Sequence, residues 1–240
     1  MTAAGNAEIG VADVKVLAFD TFGTVADWHT GVSSTLAQVF PALDASRLAR
    51  DWRRCYGPAL AEVESGERPF TVLDDLHRIT LDGLLRSEYG VVATANQLDE
   101  AVRAWHVLPG WPDSSAGLHR LKSKYTIAAL SNGHVSLLTA MAESADLPWD
   151  VIGGADLWGH YKPSAEVYLG IARLTGVAPH EVMMVATHAA DLAAARSHGL
   201  KTAYVARPRE WGPEPKVEEP DPDDAFFVRG IDELATLLDC

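Results

Sequence analysis

Cysteine, long apolar runs and basic residues are all scarce in this chain of 240 residues. The two cysteines, Cys55 and Cys240, give neither a disulfide framework nor the ligand spacing of a zinc site. No apolar run reaches the roughly 18 residues typical of a transmembrane helix. Residues 1–10 lack a basic segment followed by an apolar one, so we expect a short disordered leader and no signal peptide. A cytoplasmic location is the default expectation.

The shortage of basic residues also restricts the partners. Lysine and arginine number 20 against 33 acidic residues, which gives a net charge of −13. Such a charge argues against a nucleic acid or an anionic membrane as partner. An anionic substrate would be repelled at long range, and it would therefore need a local pocket of positive charge.

Apolar residues are abundant, at 48%, and they are grouped into short runs that resemble buried strands. The predicted strands are Val14–Phe19, Tyr125–Leu130, Val151–Gly153, Val182–Ala186 and Thr202–Val205. Helix-like sequence separates them, as at Ala165–Leu174 and Asp191–Gly199. Strands that alternate with helices predict an α/β fold with a doubly wound, Rossmann-like parallel sheet, whose site lies at the carboxyl ends of the strands.

Residues 28–108 lack strand signals and have a helical pattern throughout. The expected helices are Val32–Phe40, Ser46–Ala61, Val72–Tyr89 and Gln97–Trp105. We therefore predict a helical cap domain at 28–108, inserted into a catalytic core made of 13–27 and 109–240. Its connections would lie near Ala26–His29 and Val107–Pro112, and Pro213–Asp224 is expected to be an exposed loop.

Four polar segments follow predicted strands. They are Asp20-Thr-Phe-Gly-Thr24, Ser131-Asn132-Gly133, Lys162-Pro163, and Thr187-His188-Ala189-Ala190-Asp191. Taken singly, each has an ordinary structural interpretation: an N-cap, a turn or a surface lysine. Their common position after strands of one parallel sheet favours a single site instead.

These four segments resemble the signature motifs of the haloacid dehalogenase superfamily, and the chain is similar to its type II L-2-haloacid dehalogenases from Val14 to about Gly212. The resemblance implies hydrolysis of short 2-haloalkanoic acids to 2-hydroxy acids, with halide release. Asp20 would be the nucleophile that forms an aspartyl ester. Ser131 and Lys162 would hold the substrate carboxylate, Thr24 would stabilise the oxyanion, and Asp191 would position water.

Two departures from the phosphatases of the superfamily sharpen this expectation. Phe22 stands where those enzymes have the second Asp of an Asp-x-Asp motif, and phenylalanine cannot protonate a leaving alcohol as that Asp does. Thr187 stands where they carry an acid that helps to hold magnesium. A halide leaves without a proton, so we expect a reaction that needs no metal and no other cofactor. Small haloacid and water would be the only reactants.

The resemblance assigns further residues to the pocket. Trp52-Arg53 matches a cap arginine near the departing halide, although a solvated helix arginine beside Arg54 is the competing interpretation. Asn132 would also lie near the halide, and Phe22 and Phe70 would be apolar walls. Tyr168 stands six residues after Lys162, as in the family, and could instead pack on the core.

His188 and Ala190 depart from the family pattern, which has asparagine and an aromatic residue there. His188 could bind the hydrolytic water or the halide, or it could only orient Asp191.

Two other functions stay open: an atypical magnesium-dependent phosphatase, and a non-catalytic relative, which an Asp191 facing away from Asp20 would favour. Family members are often dimers, so a homodimer is one expectation. The preferred halogen, chain length and enantiomer are not determined by the sequence.

Overall fold

A six-stranded parallel sheet forms the centre of the molecule. The structure, a computed structural model, describes residues 11–216 and 218–240, so the predicted leader at residues 1–10 lies outside the described residues. The strand order is β3-β2-β1-β4-β5-β6. The strands are β1 (Val16–Phe19), β2 (Thr126–Leu130), β3 (Val151–Gly153), β4 (Val182–Ala186), β5 (Lys201–Val205) and β6 (Phe226–Val228). The predicted α/β fold is confirmed, and only the short edge strand β6 was missed.

Helices cover both faces of the sheet, because successive residues of a strand point to opposite sides. On β1, Leu17 and Phe19 enter one apolar cluster, and Val16 and Ala18 enter the other. The helices of the core are α6 (Ser114–Lys122), α7 (Val135–Ala145), α8 (Ala165–Thr175), α9 (Ala189–Ser197) and α10 (Ile231–Leu237). Helices α6, α7 and α10 pack on the first face, and α8 and α9 pack on the second. This arrangement is the doubly wound architecture.

Five helices and a 3-10 turn at Ala104–His106 lie between β1 and the core helix α6. The helices are α1 (Trp28–Val39), α2 (Ala45–Arg54), α3 (Tyr56–Glu64), α4 (Leu73–Glu88) and α5 (Ala95–Arg103). The prediction of one helix over Ser46–Ala61 was wrong, since the helix is interrupted at Cys55. Pro58 has no N–H to donate to the carbonyl of Arg54, which accounts for the break. The division into cap and core domains at 28–108 stays a prediction.

The two connections to this helical segment lie side by side. Ala26 and Gly110 form an antiparallel bridge. The Asp27 N–H donates to the Pro109 carbonyl at 2.8 Å, and the Trp111 N–H donates to the Val25 carbonyl at 3.0 Å. The helices therefore begin and end at one point, beside the carboxyl end of β1, where Asp20 lies.

The segment at 213–224 has no helix or strand in its described part, as predicted for a loop. Its last residue departs from the prediction, because Asp224 is buried and forms an ion pair with Arg196 of α9. Asp221 pairs with the same guanidinium at 2.6 Å. Among the described residues, no helix combines the length and hydropathy that a membrane span requires.

Candidate active site

Asp20 follows β1 directly and is 7% exposed. Its backbone N–H donates to the Val185 carbonyl of the neighbouring strand at 3.0 Å, which fixes its position in the sheet edge. The Thr24 hydroxyl donates to Asp20 Oδ2 at 3.0 Å and accepts the Thr187 N–H at 3.0 Å. The turn between them needs Gly23, whose φ is +92°. The turn thus presents the Asp20 carboxylate in a fixed orientation.

Lys162 joins two carboxylates on one side of this site. Its Nζ lies 3.3 Å from Asp20 Oδ1 and 2.7 Å from Asp191 Oδ2. The Tyr168 hydroxyl donates to Asp191 Oδ1 at 2.7 Å. Asp191 therefore faces the site, so the orientation that would have favoured the non-catalytic alternative is not observed. Tyr168 is buried, but its hydroxyl binds Asp191, so it does more than pack on the core.

His188 lies on the other side of Asp20. Its Nδ1 is 3.2 Å from Asp20 Oδ2, and its Nε2 is 3.0 Å from Glu210 Oε1. The Trp28 indole N–H donates to the same Glu210 oxygen at 3.0 Å. Among the described residues, the ion-pair partners of His188 are Asp20 and Glu210. The interpretation in which His188 orients Asp191 therefore receives no support from these contacts.

These contacts set the charges of the site. Burial alone would raise the pKa of Asp20, but the positive charge of Lys162 and the hydrogen bond to His188 hold it well below its usual range. Burial alone would lower the pKa of His188, but its hydrogen bonds to Asp20 and Glu210 raise it to about 10. Burial would also lower the pKa of Lys162, and Asp191 and Asp20 raise it instead. At neutral pH, Asp20 is a carboxylate flanked by two cations.

Arg53 is also buried, at 9% exposed, so the interpretation as a solvated helix arginine is wrong. Arg54 supplies the contrast, since its side chain is 64% exposed and pairs with Asp51. Four aromatic rings surround the Arg53 guanidinium: Tyr56 at 4.1 Å, Trp28 at 5.6 Å, and Phe22 and Trp105 at 5.8 Å. Its Nη1 is buried and has no hydrogen-bond partner among the described residues. A buried cation with an unused N–H is a binding site for an anion.

Two further side chains beside Arg53 have buried polar atoms without partners in the part of the chain that the structure describes. These atoms are the indole nitrogen of Trp105 and both ring nitrogens of His77. The two rings stack with centroids 4.3 Å apart. Burial, followed by the charge of Arg53, holds the pKa of His77 well below its usual range, so the ring is neutral at pH 7. The aromatic chamber around Arg53 thus contains several unused donors.

Ser131 and Asn132 follow β2 and form hydrogen bonds with residues of the site. The hydroxyls of Ser131 and Thr21 are 2.6 Å apart, and Ser131 Oγ accepts the Gly133 N–H at 3.2 Å. The Asn132 amide donates to the Tyr56 hydroxyl at 2.9 Å, and its carbonyl accepts the Lys162 N–H at 2.8 Å. Asn132 therefore links the Arg53 chamber to the backbone of Lys162.

Phe70 is further from this network than the other predicted residues. Its ring is half-buried and stacks on Tyr161, with centroids 5.4 Å apart. Tyr161 precedes Lys162, so Phe70 contacts the site through that neighbour. Its assignment as a wall of the pocket stays a prediction.

Sequence reasoning missed Glu210 and Tyr56. Glu210 is 6% exposed and lies in the irregular segment after β5, where a carboxylate following a strand could have been recognised. Tyr56 begins α3, beyond the break at Cys55, so the spacing of a single helix does not connect it to Arg53 on α2. Both residues contact groups that the sequence had already singled out.

The donor set around Asp20 does not suit magnesium. Magnesium requires close to octahedral coordination by oxygen atoms. Here the Lys162 ammonium lies between the carboxylates of Asp20 and Asp191. Thr187, in place of an acid, uses its backbone N–H to hold Thr24. A metal ion between the carboxylates would have to displace a paired lysine.

Comparisons with known proteins agree with this geometry. The model of the haloacid dehalogenase-like hydrolase family matches residues 14–199. A defluorinating L-2-haloacid dehalogenase of known crystal structure is 43% identical, with a TM-score of 0.90 over 95% of this chain and 96% of that one. A second L-2-haloacid dehalogenase is 40% identical, with a TM-score of 0.89 over 94% of this chain and 99% of that one. An (S)-2-haloacid dehalogenase from Burkholderia cepacia is 29% identical over 82% of this chain and 85% of its own length.

The chain belongs to the haloacid dehalogenase-like hydrolases. The predicted resemblance to the L-2-haloacid dehalogenases is likewise confirmed, and the chain spans nearly the whole length of both structural relatives.

Proposed function

We propose that this protein hydrolyses short L-2-haloalkanoic acids to 2-hydroxy acids and halide through an ester on Asp20. One observation carries the proposal: an ionised Asp20 and Arg53, a buried cation that has an unused N–H among the described residues, both lie near enough to Tyr56 to shift the pKa of its hydroxyl. A nucleophile and an anion-binding chamber are what displacement of a halide requires. No acid stands at position 22 to serve an alcohol leaving group, because that residue is Phe22.

In the first step, one oxygen of Asp20 attacks the carbon that carries the halogen. The new C–O bond forms as the carbon–halogen bond breaks, and the halide takes the bonding pair toward Arg53. Lys162 and Ser131 would hold the substrate carboxylate. The positive charges of Lys162 and His188 stabilise the ground-state carboxylate of Asp20, and the buried guanidinium stabilises the charge that develops on the halide.

In the second step, water attacks the carbonyl carbon of the Asp20 ester. Esterification removes the negative charge of Asp20, one of the two carboxylates that raise the pKa of His188, so this pKa falls and the imidazolium releases its proton to solvent. The neutral His188 ring, still bonded to Glu210, then takes a proton from the attacking water. As the tetrahedral intermediate collapses, His188 gives that proton to the leaving alkoxide of the 2-hydroxy acid, and the proton that remains on the regenerated Asp20 returns to His188. Lys162, held by Asp191, would stabilise the oxyanion together with Thr24.

Fluoride is within the proposed range of leaving groups. A small, strongly basic halide depends more than bromide does on hydrogen-bond donors. The Arg53 chamber contains unused donors on Arg53 and Trp105, and the relative with 43% identity is a defluorinating enzyme. A cytoplasmic location, metal independence and a homodimer stay predictions.

The test is halide release from chloroacetate, bromoacetate, fluoroacetate and both enantiomers of 2-chloropropionate, with and without a chelator. We expect release from the L enantiomer and from the acetates, unchanged by the chelator, and none from Asp20→Asn. Magnesium-dependent cleavage of an aryl phosphate without halide release would favour the atypical phosphatase. Inactivity toward every haloacid would favour the non-catalytic relative.

A further inference from the structure

A second cluster of polar side chains lies where the helices after β1 meet the core and, among the described residues, forms no hydrogen bond or ion pair with Asp20. Asp74 is in the first turn of α4, His106 ends the 3-10 turn after α5, and His134 precedes α7. One carboxylate oxygen and two imidazole nitrogens from these residues lie within 4.8 Å of one another. The proposed dehalogenation uses none of the three.

We propose that Asp74, His106 and His134 form a binding site for a divalent transition-metal ion of the zinc type, which joins the cap helices to the core. Two imidazoles and one carboxylate are a common ligand set for zinc, with the fourth position left to water. The Asp74 and His106 ligands come from the helical segment, and the His134 ligand comes from the core.

The three ligand groups lie close to the spacing that coordination requires. His106 Nε2 lies 3.0 Å from Asp74 Oδ1 and 2.9 Å from Oδ2, which a hydrogen bond explains. His134 Nε2 lies 3.6 Å from Asp74 Oδ2, which is too long for one. Two ligands of a tetrahedral zinc ion, each about 2.0–2.1 Å from the metal, are about 3.3 Å apart. Coordination would therefore require His106 and Asp74 to separate slightly and His134 to move closer to Asp74.

The burial of His134 points the same way. The residue is 8% exposed, and its Nδ1 is buried without a hydrogen-bond partner in the described part of the chain. A mostly buried imidazole that makes no hydrogen bond is costly to fold unless a ligand compensates. A metal ion on Nε2 would give the ring one strong polar partner, while Nδ1 would stay without one among the described residues.

The surroundings allow an ion to enter. Asp74 and His106 line an open groove of about 590 Å³ together with Asp75, Arg103 and the ion pair of Arg78 with Asp99. The side chains of Asp74 and His106 are 30% and 21% exposed. A cation can thus reach the three ligands from solvent, and a water molecule can supply the fourth ligand.

The test is calorimetric titration of zinc chloride into the full chain, purified without a polyhistidine tag and treated with a chelator. We expect the wild type to bind zinc at one site with micromolar affinity. The affinity should be at least about tenfold lower in His106→Gln and in His134→Gln. Zinc should also raise the Tm of the wild type but not that of His106→Gln. His119→Gln is the matched control, because exposed His119 pairs with Asp146 in the same way but has no second imidazole.

Absence of saturable one-site binding in the wild type would overturn the proposal. So would equal affinity in the wild type and His106→Gln, which keeps the buried core intact and so avoids a folding defect. Cobalt absorption in the wild type provides a second readout of tetrahedral coordination by nitrogen and oxygen. These measurements do not depend on halide release, so failure of either proposal leaves the other standing.

Discussion

Replacement of Arg53 by methionine is expected to abolish most activity while leaving the fold intact. The guanidinium is buried among four rings and, among the described residues, forms no ion pair. Burial of an unpaired ion costs several kcal/mol, whereas each cation–π contact returns about 0.5–2 kcal/mol. The two effects offset each other, so methionine, which fills similar space, should leave the free energy of unfolding within about 2 kcal/mol of the wild type.

The effect on activity should be much larger. Loss of one preorganised donor to a developing negative charge typically costs about 10²–10³ in rate. We therefore expect kcat/KM for Arg53→Met to fall by about 100-fold or more with chloroacetate, and by a greater factor with fluoroacetate. Halide release and thermal unfolding measure the two quantities on the same samples.

Arg54→Met is the control for this experiment. Arg54 adjoins Arg53 but is exposed and pairs with Asp51, and surface ion pairs contribute about 0–1 kcal/mol. Both activity and Tm should stay close to wild type. Full activity in Arg53→Met, or its unfolding under conditions where Arg54→Met is native, would refute the assignment of Arg53 to the leaving halide.

Three further changes test the remaining contacts. Because the pKa of His188 is raised, its ion pairs stabilise the fold fully below the ordinary histidine pKa of 6.5, and this stabilisation is lost as the pH rises through about 10. The difference in Tm between the wild type and His188→Gln should therefore be larger at pH 8 than at pH 10.5. Tyr168→Phe removes the hydroxyl on Asp191 and should lower the free energy of unfolding by about 1.5–3 kcal/mol in denaturant titrations, together with kcat. Gly23→Ala forces a side chain into positive φ, with Cβ 2.5 Å from Glu210 Oε1, and should lower both Tm and halide release; an unchanged Tm would contradict the tight turn.

The sequence predicted best those residues whose position depends on the sheet alone. Asp20, Ser131 and Asp191 follow strands, and the carboxyl ends of parallel strands meet at one edge. Their convergence therefore follows from the strand pattern, without knowledge of any loop. The strands themselves were found within one or two residues because they are short, apolar and separated by helices.

The missed features depend on contacts that no local pattern encodes. Glu210 reaches His188 from an irregular segment, and Tyr56 faces Arg53 only because the chain continues as a second helix after Cys55. Only the structure distinguishes Arg53 from Arg54, because the two arginines have the same charge in the sequence but Arg54 has an exposed side chain. Hydrophobic periodicity places a residue on a face, but tertiary packing determines what that face contacts.

The most direct test of the account is a single turnover with excess enzyme in ¹⁸O-labelled water, followed by mass spectrometry of the peptide that contains Asp20 and of the product. The account predicts that the first product carries unlabelled oxygen from Asp20, and that the Asp20 carboxylate acquires the label. Label in the first product, with none in Asp20, would mean that water attacks the substrate directly, and the covalent role of Asp20 would be wrong.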